Sequence, residues 1–185
     1  MTPSMTLPFL LNSCLKNRDI LARRCGARPP CVHRCNIFVY HFSADSRLNS
    51  ACTGFLASVE QGRLVGITSA AVVQETSHRV MIAEALLTCP HVKGKDLVTY
   101  LKTHPDIVKT LRLNQDIASI IASLNIEILP ISAALIERSR QMKARYGFLS
   151  NDALTLQAMT DLGVLAIATN DSDFERVDAI TVYKP

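Results

Sequence analysis

The sequence predicts a three-layer α/β/α domain with a mostly parallel central sheet, on three observations. Short apolar runs at residues 64–68, 126–129 and 164–168 alternate with longer stretches of helical periodicity, the order expected of a parallel sheet wrapped by helices. The run at 164–168 is apolar at successive positions, as in a strand covered on both faces. At 185 residues, 48% hydrophobic and 19% charged, the chain can bury a single sizeable core.

Taken in order, residues 37–42 (Ile37-Phe38-Val39-Tyr40-His41-Phe42) are β-branched and aromatic, so propensity alone predicts a strand. Residues 49–60 read as an amphipathic helix with Cys52, Phe55, Leu56 and Val59 on one face and Gly62 as its stop. A strand follows at 64–68. Ser69 opens a helix to about Leu87, with Val72, Val73, Val80 and Ala83 at helical spacing. Residues 91–125 supply two helices divided at Pro105, the second facing inward through Ile107, Leu111, Ile117, Ile120, Ile121 and Leu124. After the strand at 126–129, a helix runs from Ser132 to its stop at Gly147. Ser150 and Asn151 are N-cap types for the next helix, which ends at Gly163 before the strand at 164–168. Residues 180–183 make a last short strand.

Charge is uneven. Residues 1–35 hold Lys16, Arg18, Arg23, Arg24, Arg28 and Arg34 against Asp19 alone, a net +5, and the remaining residues carry 14 cations against 15 anions. The body is therefore not a bulk polycation, and affinity for a polyanion must come from local patches or metal ions. The N-terminal 1–35 is predicted to lie outside the domain proper, which begins at Asn36. Four of the six cysteines, Cys14, Cys25, Cys31 and Cys35, crowd this segment, which argues against a secreted disulfide framework. No apolar run reaches the roughly 18 residues that cross a bilayer, so no membrane association is expected and the chain reads as cytoplasmic.

Acidic residues collect where open α/β sheets place their ligands. Asp171 and Asp173 follow the strand at 164–168, at its carboxyl end. Asp152 stands in the first turn of the preceding helix and could face the same edge, and Glu75 lies early in the helix after the second strand. Each alone is ordinary: Asp152 at a helix start is favourable through the dipole by about 0.3 to 1 kcal/mol. Glu75 within an apolar face is harder to dismiss, because an unpaired buried carboxylate is costly. Nucleophile-elbow, Walker A and H-E-x-x-H patterns are absent. The spacing of Cys25, Cys31, His33 and Cys35 matches no common zinc pattern.

Asn36-Ile37-Phe38-Val39-Tyr40, Glu75, Ser150-Asn151-Asp152-Ala153-Leu154 and Thr169-Asn170-Asp171-Ser172-Asp173-Phe174 together resemble the PIN-domain ribonucleases, especially the VapC-type toxins paired with small antitoxin proteins. The resemblance implies a PIN-like fold in which 37–42 is a helix, and that assignment is preferred over the propensity reading. It implies a Mg2+- or Mn2+-dependent endoribonuclease with an RNA substrate, an antitoxin partner and a homodimer. Glu75, Asp152 and Asp171 become the catalytic metal-binding acids and Asp173 an additional ligand. Asn36 and Thr169 become supports, with Thr169 a hydrogen-bond donor. Hard oxygen donors suit such ions, which can polarise a phosphodiester. Replacing Asp152 or Asp171 by Asn should then relieve repulsion and leave the metal-free fold at least as stable.

One position departs from the pattern. The family's first strand ends in an Asp two residues before the Asn, and here that position is Arg34, preceded by Pro29-Pro30-Cys31-Val32-His33. An arginine there pairs with the acids and repels a cation, which impairs activity or leaves a catalytically inactive protein that binds RNA or an antitoxin-like partner. Asp45, beyond the helix, is badly placed to substitute. The abrupt change before Asn36 reads as disorder or a shifted reading frame, with the apolar first strand lost.

Overall fold

The computed structural model describes residues 26–43 and 47–185. Its elements run β1 (Pro30–His33), α1 (Cys35–Phe42), α2 (Asn49–Glu60), β2 (Val65–Ser69), α3 (Ala70–Thr88), α4 (Gly94–Thr103), α5 (Pro105–Thr110), α6 (Ile117–Ser123), β3 (Ile126–Leu129), α7 (Ala133–Tyr146), α8 (Ser150–Leu162), β4 (Ala166–Ala168), a 3-10 turn (Ser172–Arg176) and β5 (Thr181–Tyr183). The strands form one sheet in the order β3-β2-β1-β4-β5, with every pairing parallel.

Alternation along each strand builds the layers, since successive side chains leave a strand on opposite faces. Cys31 joins Ile37, Phe38, Cys52, Leu56, Val72 and Ile121 on one side of the sheet, while its neighbour Val32 joins Ala153, Leu156, Met159 and Phe174 on the other. In β4, Ile167 and Ala168 divide between the same two clusters. The three-layer expectation therefore holds.

The domain's start differs from the sequence reading. Pro30–His33 is the central strand, paired with β2 on one side and β4 on the other, so the sheet begins six residues before Asn36. Proline is tolerated because it is the strand's first residue. Cys31 and Val32 are buried and behave as small hydrophobes. His33 is fully buried beside Phe38 and Phe55, its Nδ1 3.3 Å from the Ile67 carbonyl. The first strand is present; it is written as a proline, a thiol, one valine and an imidazole rather than as an aliphatic run. Most of the basic N-terminal segment, and Asp45, lie outside the described residues.

Other elements differ locally. Residues 37–42 are helical, against their propensity, because Ile37 and Phe38 are buried on one face of α1. The arm after α3 holds three helices instead of two, and its core is Leu97, Leu101, Leu111 and Ala85, while Ile120 is exposed. Leu149, not Ser150 or Asn151, is the N-cap residue of α8, without a side-chain cap bond. The strand expected at 164–168 is only Ala166–Ala168, and Leu165 is exposed. Gly147 and Gly163 take the left-handed conformation, with φ of 68° and 70°, as their helix-end positions require.

Gly66, in the middle of β2, has no room for a side chain. A Cβ there would meet Val59 Cγ1 at 2.6 Å and Ile126 Cγ1 at 2.8 Å. Gly66→Ala should destabilise the fold by about 1 to 3 kcal/mol, measured by urea denaturation, because both neighbours are buried and must shift. No loss would mean that α2 retreats freely from the sheet.

Candidate active site at the carboxyl edge of the sheet

Helix α8 leads into β4 through a short turn, so its first residues return to the carboxyl end of the strand. This brings Asp152, in the first turn of α8, next to the segment that leaves β4. One carboxylate oxygen from each of Asp152, Asp171 and Asp173 lies within 4.8 Å of the other two. Three sequence-predicted acids therefore converge. Ser69 caps α3 by accepting from Val72 N at 3.3 Å, and Glu75, in the second turn, lines the same cleft as Asp152 and Asp171 without joining the close trio.

The supports are explicit. Asp171 caps the 3-10 turn by accepting from Asp173 N at 2.9 Å, and Arg176 pairs with Asp173. Asn36 Nδ2 donates to Thr169 Oγ1 at 3.0 Å, and Asp171 N donates to the same oxygen at 3.1 Å. The expectation that Thr169 donates is corrected: in both bonds its hydroxyl accepts, and so ties the segment after β4 to α1.

Arg34 enters this cluster from the end of β1. Its Nη2 donates to Asp152 Oδ1 at 2.5 Å, its Nη1 to Thr155 Oγ1 at 3.1 Å, and its guanidinium carbon lies 5.6 Å from the centre of the Phe174 ring. Only 7% of the Arg34 side chain and 9% of the Asp152 side chain are exposed. Sequence reasoning expected Arg34 to pair with the acids, and Asp152 is the one it meets; Thr155 and the Phe174 ring were not anticipated as its partners.

Electrostatics differ among the acids. Burial raises the pKa of Asp152; Arg34 opposes this, and the charges of Asp171, Asp173 and Glu75 add to it, leaving it above the ordinary value. Burial alone would raise Glu75 as well, but the Cys35 thiol, Arg34 and Arg79 outweigh it and hold Glu75 low. Arg79 pairs with Glu75 at 3.0 Å, and Asn151 Nδ2 donates to Glu75 at 3.4 Å. The Cys35 thiol beside Glu75 is pushed up to about 12, first by burial and then by that carboxylate, so it stays a thiol.

The acid trio is the kind of donor set that Mg2+ or Mn2+ takes, all oxygen and partly exposed. The donors fit such an ion. Arg34 on Asp152 and Arg176 on Asp173 compete for two of them.

Comparison with known proteins agrees with this architecture. The PIN domain family matches residues 35–180. Ribonuclease VapC2 of Methanocaldococcus jannaschii is 33% identical over 84 residues, 45% of this chain and 54% of the relative, so the chain spans about half the relative's length. Among solved structures, Mycobacterium tuberculosis VapC20, a sarcin-ricin loop cleaving toxin, superposes with a TM-score of 0.55 at 16% identity, covering 84% of this chain and 99% of that one. VapBC2 from Rickettsia felis, bound to a DNA fragment from its promoter, gives 0.51 at 18% identity, covering 84% of this chain and 98% of that one. The last two show the fold alone. With its family's match spanning most of the sheet and every acid of the cleft, the chain belongs to the PIN-domain family.

Proposed function

We propose that this protein is a Mg2+- or Mn2+-dependent endoribonuclease, the toxin of a toxin–antitoxin pair, with activity impaired by Arg34. The observation that carries the reading is the convergence of Asp152, Asp171 and Asp173 at the carboxyl edge of a parallel sheet. Family membership and a relative named as a ribonuclease support it. Asp152, Asp171 and Asp173 would hold the ion, with Glu75 at the cleft wall. A bound divalent ion supplies charge neutralisation for the phosphodiester and a water made nucleophilic near neutral pH.

The chain's own residues do the rest. Thr169, held by Asn36, fixes the backbone of Asp171 and hence the direction of its carboxylate. Glu75, held low, is ionised throughout the physiological range and can orient a water or a ribose hydroxyl across the cleft. Arg79, with 58% of its side chain exposed at the mouth, and Lys143, bonded to Ser150 at 3.0 Å, are positioned to meet an RNA phosphate.

The two acid replacements are expected to separate. Asp171→Asn should lower manganese-dependent RNA cleavage at least about tenfold. It should leave the metal-free unfolding free energy within about 0.5 kcal/mol. Asp152→Asn should also lose stability, because it strands Arg34 in a buried place without its charged partner. That revises the expectation that both replacements leave the metal-free fold at least as stable. Unchanged cleavage by the Asp171 variant would overturn the assignment.

One observation favours a second reading. The buried Arg34–Asp152 pair fits a catalytically inactive PIN-like protein that binds RNA or an antitoxin-like partner. RNA binding without any manganese-dependent cleavage would select it. Under either reading the proposed partners are RNA and a small antitoxin, with a homodimer as the assembly. Leu87, 82% exposed on α3, and Val98, 44% exposed on α4, support a protein partner. A cytoplasmic location is proposed; among the described residues, no helix is long and apolar enough to cross a membrane.

A further inference from the structure

Arg34 is held from four directions. Its backbone N donates to the Ala168 carbonyl at 3.1 Å, which fixes its Cα at the end of the central strand. Its two terminal nitrogens are taken by Asp152 and Thr155, and its guanidinium lies against the buried Phe174 ring. Thr155 is itself turned into place, its hydroxyl donating to the Asn151 carbonyl at 2.9 Å. An arginine accommodated by chance at a strand end would trail into solvent, as long cationic side chains do. This one is buried, with partners matched to its fork and its face.

The charges explain why such a pairing is favourable. Four carboxylates, Glu75, Asp152, Asp171 and Asp173, meet at the cleft, and Asp152 is the buried member of the trio. Without a cation, like charges this close oppose folding. Arg79 and Arg176, themselves 58% and 43% exposed, hold the outer two, Glu75 and Asp173. Asp152, at the centre, has Arg34.

We propose that Arg34 is the resident cation of this site: its guanidinium occupies Asp152 in place of a divalent metal ion, so the protein folds with its buried acid neutralised in the absence of metal, and a metal ion binds only by displacing it. The proposal rests on the carboxylate cluster being the metal-binding site put forward above. It makes Arg34 an internal competitor rather than a simple loss of one ligand. A lost ligand weakens metal binding and leaves metal-free stability low; a resident cation weakens metal binding and raises metal-free stability.

The test compares the full chain with Arg34→Asp by thermal melting and by calorimetric titration with MnCl2. Arg34→Asp should melt lower than the parent without metal, bind manganese at least about tenfold more tightly, and recover its melting temperature as manganese is added. The parent should show little or no shift over the same range. Parent protein that binds and is stabilised by manganese as strongly as the variant would overturn the proposal. Should Arg34→Asp fail to fold with or without manganese, Arg34→Met and Asp152→Asn, singly and combined, decide it. The combined variant should be more stable than the sum of the two single losses predicts, because the charges are removed together. Strict additivity would overturn it. The readouts are independent of cleavage: Arg34→Asp that binds manganese yet leaves RNA intact would sink the ribonuclease reading and spare this one, and a parent chain that binds manganese tightly and cuts RNA would do the reverse.

Discussion

Phe174→Ala is expected to destabilise the protein by about 3 to 5 kcal/mol, among the largest single losses the fold allows. The ring is completely buried, packs at 5.1 Å from Phe148, and sits in the cluster with Val32, Ile67, Met159 and Ile167 that joins α8 to the sheet. Truncation opens a cavity that β4 and α8 cannot close without breaking the sheet's pairing. Phe174 also follows Asp173 in the 3-10 turn and lies under the Arg34 guanidinium, so the loss reaches the acid cluster. Phe174→Leu should cost less than half as much in urea denaturation. A loss below about 1 kcal/mol for the alanine variant would mean that the turn does not anchor the core.

Acidification is expected to cost about 3 kcal/mol through a single residue. Burial lowers the pKa of His33 from 6.5 to about 4, against the small opposing effect of the Ile67 and Cys31 carbonyls. Above pH 6.5 the ring is neutral in folded and unfolded chains alike, and contributes no pH dependence. As pH falls from 6.5 to 4 the unfolded chain takes up a proton that the folded chain refuses, so stability drops through that window and levels off below it; each pKa unit is worth about 1.4 kcal/mol. Among the described residues the buried Nε2 has no hydrogen-bond partner, so protonation there finds nothing to receive it. His33→Leu should remove this part of the slope, seen as the difference between the two proteins' denaturation curves from pH 4 to 7. Parallel curves would show that water reaches the ring.

Much of the site was legible because its chemistry sits at landmarks that sequence marks well. Asp152 directly follows Ser150 and Asn151, residue types that mark a helix start, and Asp171 and Asp173 follow a short apolar run, so the ends of α8 and β4 could be placed and the acids with them. Glu75 was found by its position after β2, but its place outside the close trio and its bonds to Arg79 and Asn151 are not revealed by spacing. The helix α1 was hidden by its own composition. Ile37, Phe38 and Val39 prefer strands when judged locally, and tertiary burial of Ile37 and Phe38 overrides that preference. The strand β1 was hidden for the opposite reason: a proline, a thiol and a histidine do not look like a central strand until the sheet shows them shielded from water. The partner of Arg34 lies 118 positions away along the chain, beyond any local pattern.

The strand order has a consequence for a chain emerging from the ribosome. Val32 in the central strand pairs with Ile167, so one whole edge of β1 stays open until β4 has been made, about 135 residues later. At roughly 5 to 20 residues per second that interval is on the order of ten seconds, during which β1, β2 and β3 can assemble but the sheet ends at an unpaired hydrophobic edge. All three acids of the close trio come after β3 in the chain, and so after the first three strands have been translated. A nascent chain that has not reached β4 thus lacks the assembled acid trio, and under the proposed ribonuclease reading any cleavage is deferred until that segment has been made.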